Sequence, residues 1–212
     1  TLGRVSLTET GAARDLVAEA RISLSDELKR DSIIAESRDD TTSLHLNDVV
    51  MPPVLLPVPH AQYVKSRTAR DPASRIERLD PAEEVRGADI IVLASDESNG
   101  LTTAVKWLVL EAANYLGSVV PLYVSFQKCR PMSKPLDEQI RREAQLRGAI
   151  VGHKDALPPF VLAIDDFSPY VDKVSDRVVA ELGSSSAILT VVGCKQGVEE
   201  ELVDRLIAMG RK

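Results

Sequence analysis

Ile90-Ile91-Val92-Leu93-Ala94-Ser95-Asp96-Glu97-Ser98-Asn99-Gly100-Leu101-Thr102-Thr103-Ala104 is the stretch on which the fold turns. Residues 90–94 are a continuous apolar run of the length expected for a buried strand. The turn at 95–103 is polar, and from Ala104 the chain becomes apolar at helical spacing. Strand, small polar loop, glycine, two threonines and helix together form the layout of a phosphate-binding loop. Two positions depart from the G-x-x-x-x-G-K-[ST] pattern. Leu101 stands where the lysine belongs, and Ser95 replaces the first glycine. The helix expected over 102–117 is apolar nearly all round, as for a helix covered on both sides, and Gly117 supplies its stop.

Further apolar runs rich in β-branched residues follow at 119–126, 160–164 and 187–192. Helical spacing lies between and after them, near 135–149, 169–182 and 196–209. This alternation predicts a three-layer α/β sandwich: a mainly parallel sheet, right-handed crossovers and helices on both faces. Direct parallel pairing of 90–94 with 160–164 is part of that expectation.

The N-terminal part reads differently. Leu16, Ala20, Leu24 and Leu28 form one helical stripe, and residues 1–42 read as a helical connector from an upstream domain. The beginning, Thr1-Leu2-Gly3-Arg4, has neither an initiator Met nor an apolar signal core, and reads as a piece cut from a longer protein. Residues 44–50 alternate in polarity, and prolines 52, 53, 57 and 59 interrupt regular structure after them. Residues 64–88 are dense in both charges, with a short helix expected from Pro81 and acids in its first turn.

With 212 residues, 44% apolar and 27% charged, the chain has the composition of a soluble globular domain, and residues 43–212 are expected to form it. A net charge of -6 speaks against a nucleic-acid surface, and no apolar run is long enough to span a membrane. Cys129 and Cys194 lie far apart and form no metal or redox motif, which fits a cytoplasmic setting. His45, His60 and His153 lack partners at metal-ligand spacing.

The candidate site residues fall into two groups. Ser95, Asn99, Gly100, Thr102 and Thr103 would form an anion cradle from backbone N–H groups and a helix N-terminus, with the Thr102 hydroxyl placed for a magnesium ion. Asp165 and Asp166 close the apolar run 160–164, where one acid orients a metal ion and its waters and the next polarises an attacking water. Ser168 before Pro169 reads as the cap of the next helix. Thr190 inside the run 187–192 and Lys195 just beyond it stand where a polar residue can sense a terminal phosphate in such folds, and the plainer reading, which is preferred, is a buried strand followed by a turn. Against a nucleotide stand Leu101, which removes a cation, and Asp96 and Glu97, whose charges oppose a polyphosphate by roughly 1 to 4 kcal/mol at effective dielectrics of about 80 to 20. Lys106 comes too late in the helix to replace the missing lysine. The plain alternative is a strand-to-helix turn capped by Ser98 or Asn99.

The segments ADIIVLASDESNGLTTAVKWLVLEAA, VVPLYVSF and FVLAIDD, with 47–53 as a lead-in, resemble the first strand, loop, second strand and acidic strand of STAND-type, AAA+-like P-loop NTPase domains. The resemblance spans roughly residues 44–210. It implies a P-loop NTPase-like fold that binds ATP with Mg2+ and acts as an oligomerisation switch, through self-association or other protein domains. With Leu101 in place of lysine, the expectation is a regulatory or oligomerisation module of a larger signalling or defence protein that lacks efficient hydrolysis and needs no cofactor. The alternative is an ATP-binding switch with weak ATPase activity. A Rossmann-like enzyme is the third class, and no G-x-G-x-x-G follows the first strand. A lysine at 101 is expected to gain nucleotide binding if the loop keeps its shape.

Overall fold

The computed structural model describes residues 16–27, 53–58, 60–67, 76–95 and 100–210. Asp96, Glu97, Ser98 and Asn99, the alternating segment 44–50 and the prolines at 52 and 59 lie outside the described residues.

The elements run α1 (16–27), α2 His60–Arg67, α3 Pro81–Gly87, β1 Ile90–Ser95, α4 Leu101–Leu116, β2 Val120–Ser125, α5 Pro135–Leu146, β3 Phe160–Phe167, α6 Asp172–Gly183, β4 Thr190–Lys195 and α7 Glu199–Ala208. The sheet has four parallel strands in the order β1-β4-β3-β2. The chain is therefore α/β, as the alternation predicts. The expected pairing of 90–94 with 160–164 is not made: β4 lies between, paired with Ile90–Ser95 on one side and with β3 on the other. An inner strand needs apolar residues on both faces. Thr190–Cys194 are buried throughout, whereas β1 is half-buried along most of its length and takes the edge.

Alternation along the strands divides the interior into two cores. Leu122, Val124, Leu162, Ile164 and Val192 face α5, α6 and α7, through Ile140, Val178 and Leu202 among others. Val161, Ala163 and Val191 face Val105, Leu108, Val109 and Ala112 of α4. The crossover from β1 to β2 carries α4 across one face, and the two returns carry α5 and α6 across the other, as right-handed connections require when the direction of travel reverses. No described helix is long and apolar enough to cross a membrane.

Several boundaries move. α4 starts at Leu101 behind Gly100, which is left-handed at φ 74° and offers no side-chain cap, so neither Ser98 nor Asn99 precedes the helix directly. α6 starts at Asp172, beyond the expected Ser168 cap; the Ser168 carbonyl instead accepts the Ser175 hydroxyl at 2.7 Å. β3 continues through both acids to Phe167, and β4 is shifted three residues past the apolar run at 187–192 to end at Lys195. α3 forms where expected, with Asp80 accepting the Ala82 amide at 2.9 Å.

α1, assigned by its stripe to a connector, packs on the domain. Val17 and Ala20 join one core and Leu24 joins the other, so the helix covers the β2 edge of the sheet. Arg21 donates to the carbonyls of Ala113 and Gly117 at the end of α4. The Ala113 carbonyl also accepts the Gly117 amide at 3.1 Å, and both carbonyls lie at the negative end of the helix dipole, which makes them good acceptors for a cation.

Candidate functional site

The carboxyl ends of β1, β4, β3 and β2 converge on the N-terminus of α4, and Asp165 lies at the centre. The register between β3 and β4 shifts here: Ile164 pairs with Val192 and Phe167 with Cys194, leaving Asp165 and Asp166 opposite Gly193. Two residues facing one is a β-bulge, and it separates the paired acids. Asp165 turns inward and is 1% exposed, while Asp166 is exposed and left-handed at φ 57°.

Three protein donors hold the buried acid. Thr102 Oγ1 donates to Asp165 Oδ2 at 2.6 Å, Tyr123 OH donates to the same oxygen at 2.8 Å, and the Asp166 amide donates to Oδ1 at 2.9 Å. Burial, and then the Asp165 carboxylate, push the Tyr123 hydroxyl far above the usual phenol range, so it stays protonated and donates. Gly193 makes room for this approach. A Cβ there would lie 2.8 Å from Val105 Cγ2, 3.1 Å from Asp165 Oδ1 and 3.4 Å from Leu101 Cγ.

Of the residues expected to act together, Thr102 and Asp165 are in contact. Asp166 instead accepts from Gln127 Nε2 at 3.2 Å. Partial burial and the neighbouring Asp165 charge raise its carboxyl, with Lys195 opposing. Ser95 ends β1 beside Lys195, and its carbonyl accepts the Gln196 amide at 3.1 Å. Gly100 precedes α4, Thr103 is half-buried in the first turn, and Asn99 lies outside the described residues. Thr190 does not belong to the site. It starts β4, in register with Ile90 and Leu162, about 16 Å of strand from Lys195.

Leu101 packs its side chain toward the sheet at Gly193. Lys106, 3% exposed, is held by Glu27 at 3.0 Å and lies 4.5 Å from the centre of the Tyr123 ring. Hydroxyl and carboxylate are suitable Mg2+ ligands, yet three of the roughly four acceptor positions of Asp165 are already taken by protein protons. With Leu101 turned inward and Lys106 paired, the described residues do not fit a magnesium polyphosphate held in the usual way.

Tyr123 and Gly193 are site residues that the motif search does not single out. A tyrosine within an apolar strand and a glycine inside a strand are the signals that point to them, the second because it marks a bulge or a close approach. No protein-family model, no curated protein and no solved structure matches the chain.

Proposed function

We propose that this chain is a regulatory or self-association module of a larger signalling or defence protein. It keeps a P-loop-like arrangement as structure and does not hydrolyse nucleotide efficiently. The observation that carries this reading is the buried Asp165, engaged by Thr102, Tyr123 and the Asp166 amide. A carboxylate so engaged ties α4 to β2 and β3 and has little capacity left for a metal ion. Its partners are other copies of itself or other protein domains, in a cytoplasmic setting.

Calorimetric titration with ATP and ADP, with and without Mg2+, in the wild type and in Thr102→Val, tests the reading. The expected result is no heat that depends on both Mg2+ and Thr102. Micromolar affinity that depends on both would overturn it. The Thr102–Asp165 contact favours the second reading, an ATP-binding switch, and that outcome would establish it. For Leu101→Lys the geometry changes the expectation. Leu101 Cγ and Asp165 Oδ1 both lie within 3.4 Å of the Gly193 Cβ position, so a lysine at 101 reaches the Asp165 carboxylate. The variant is expected to gain no nucleotide affinity.

A further inference from the structure

The two edges of the sheet are finished differently. α1 covers the β2 edge, whereas among the described residues no strand pairs with the outer side of β1. The Thr190 amide donates to the Asp89 carbonyl at 2.9 Å and the Gln196 amide to the Ser95 carbonyl at 3.1 Å. Backbone groups alternate in direction along a strand, so odd-numbered residues of β1 face β4, and the N–H and C=O groups of Ile90, Val92 and Ala94 point outward. Charges, prolines and bulges are what keep an edge strand from pairing. Ile90–Ser95 has no charged residue and no proline, and its register with β4 is unbroken.

The helix over that edge is open on the same side. α7 touches α6 and β1. Its Leu202 and Leu206 are buried in the core, and on the flank toward α6 Arg205 donates to Asp176 at 2.8 Å. At 3.6 residues per turn, Val203 and Ile207 fall on the opposite flank, above the free edge, and Ile207 is 62% exposed. Charge changes sign along the helix. Glu200 is exposed in the first turn, and Arg211 and Lys212 follow the helix in sequence.

We propose that β1 and α7 form the contact with a second copy of this chain, joining two four-stranded sheets into one about a two-fold axis through Val92. This rests on the self-association reading and names its surface. Antiparallel pairing sets Ile90 against Ala94 of the other copy and Val92 against itself, each pair exchanging two N–H···O bonds. With strands about 4.8 Å apart, a helix lying over β1 and β4 comes to about 10 Å from its symmetry mate, the distance at which helices pack. The heights agree as well. From Glu199 to Arg205 the helix advances about 9 Å, and from Val92 to Ser95 the strand advances about 10 Å. The axis through Val92 therefore passes midway between Val203 and Ile207, and Val203 of one copy meets Ile207 of the other. Antiparallel helices also bring Glu200 of one copy to the basic end of the other, so the surface is complementary to itself. One strand edge and one helix flank are smaller than a standard interface, so the association is a weak, reversible one.

Sedimentation velocity from about 10 µM to about 1 mM, with residue-resolved amide exchange at both ends of that range, tests this. A monomer–dimer equilibrium is expected. The amides of Ile90, Val92 and Ala94 should exchange freely in the monomer and become protected in the dimer, while those of Ile91 and Leu93 are protected in both. Ala94→Pro deletes an outward N–H and leaves the bonds to β4 in place. Ile207→Glu sets an acid on the apolar flank, close to the acidic turn of the other copy. Each should weaken dimerisation tenfold or more, and Ile207→Glu, at an exposed position, decides the matter if Ala94→Pro fails to fold. Dimerisation that neither variant weakens, with Val92 still exchanging, overturns this surface and keeps self-association. A chain that stays monomeric with Val92 exchanging throughout overturns the surface and association with its own copies together. Protection of Val92 in the monomer means that another segment of the same chain occupies the edge, and it overturns the proposal too.

Discussion

Asp166 adopts a backbone conformation at φ 57° that asparagine tolerates better than most residues, and its carboxyl is raised by partial burial and by Asp165. A carboxylate with a raised folded-state pKa binds its proton more tightly when folded, so it lowers stability as pH rises through that pKa. Asp166→Asn removes this charge and keeps an acceptor for Gln127. Because solvent screens this exposed side chain, the substitution is expected to stabilise the protein at pH 7 by at most about 0.5 kcal/mol, with the gain shrinking as acid protonates the wild-type residue. Urea melts at pH 7 and pH 4 would measure it, and a gain that persists undiminished at pH 4 would refute the charge argument. Gly193→Ala tests the other side of the bulge. Its Cβ would meet Val105 Cγ2 at 2.8 Å, pushing α4 off the sheet at a cost of about 1–3 kcal/mol, and wild-type stability in that variant would contradict the close approach. Both acids were legible in the sequence as a pair closing an apolar run. Their division into a buried and an exposed member was not, because it depends on Gly193 of a different strand.

At the level of elements, the apolar runs announce four strands and the spacing announces the helices between them. What short apolar runs do not encode is which strand becomes whose neighbour: β1 and β3 look equally suited to pair until the burial of β4 places it between them. Contacts far apart in sequence are hidden for the same reason. Glu27 on α1 bonds Lys106 on α4 at 3.0 Å and also pairs with Arg147 beyond α5, both of them buried cations. Burial pushes the Glu27 carboxyl up, but the hydrogen bonds and charges of Arg147 and Lys106 outweigh it and hold the group below its usual range. Its stabilisation is present above the unfolded-state pKa and lost as pH falls through the folded one. Glu27→Gln removes one acid from the buried Lys106 and from Arg147, which keeps Glu143 at 2.7 Å, and is expected to cost about 2 kcal/mol at pH 7, less than for a fully buried pair because Glu27 is partly exposed. The deficit should narrow toward pH 4, opposite in sign to the Asp166→Asn gain and narrowing in the same direction. Thermal melts of both variants across that range distinguish the two effects, and a Glu27→Gln deficit that widens in acid would contradict the assignment.

For the whole molecule, the question is whether α1 is an appendage or a wall of the domain. A helical stripe in sequence is compatible with either, since it shows only that one face seeks burial. In the structure that face closes the β2 edge and belongs to both cores, with Val17 9% exposed and Ala20 and Leu24 fully buried. Burial of these three side chains contributes about 4 kcal/mol, a large share of the 5–15 kcal/mol that holds a typical domain folded. Removing residues 1–27 would also take away Arg21 from the end of α4 and Glu27 from Lys106 and Arg147. The truncated chain is therefore expected to unfold on the order of 10 °C lower, or to lose a cooperative transition altogether, in circular-dichroism melts beside the full chain. A helix that merely connects would leave the melting temperature where it was. That result would return α1 to a linker and take with it the account of Lys106 and Arg147 as cations neutralised from the N-terminal side.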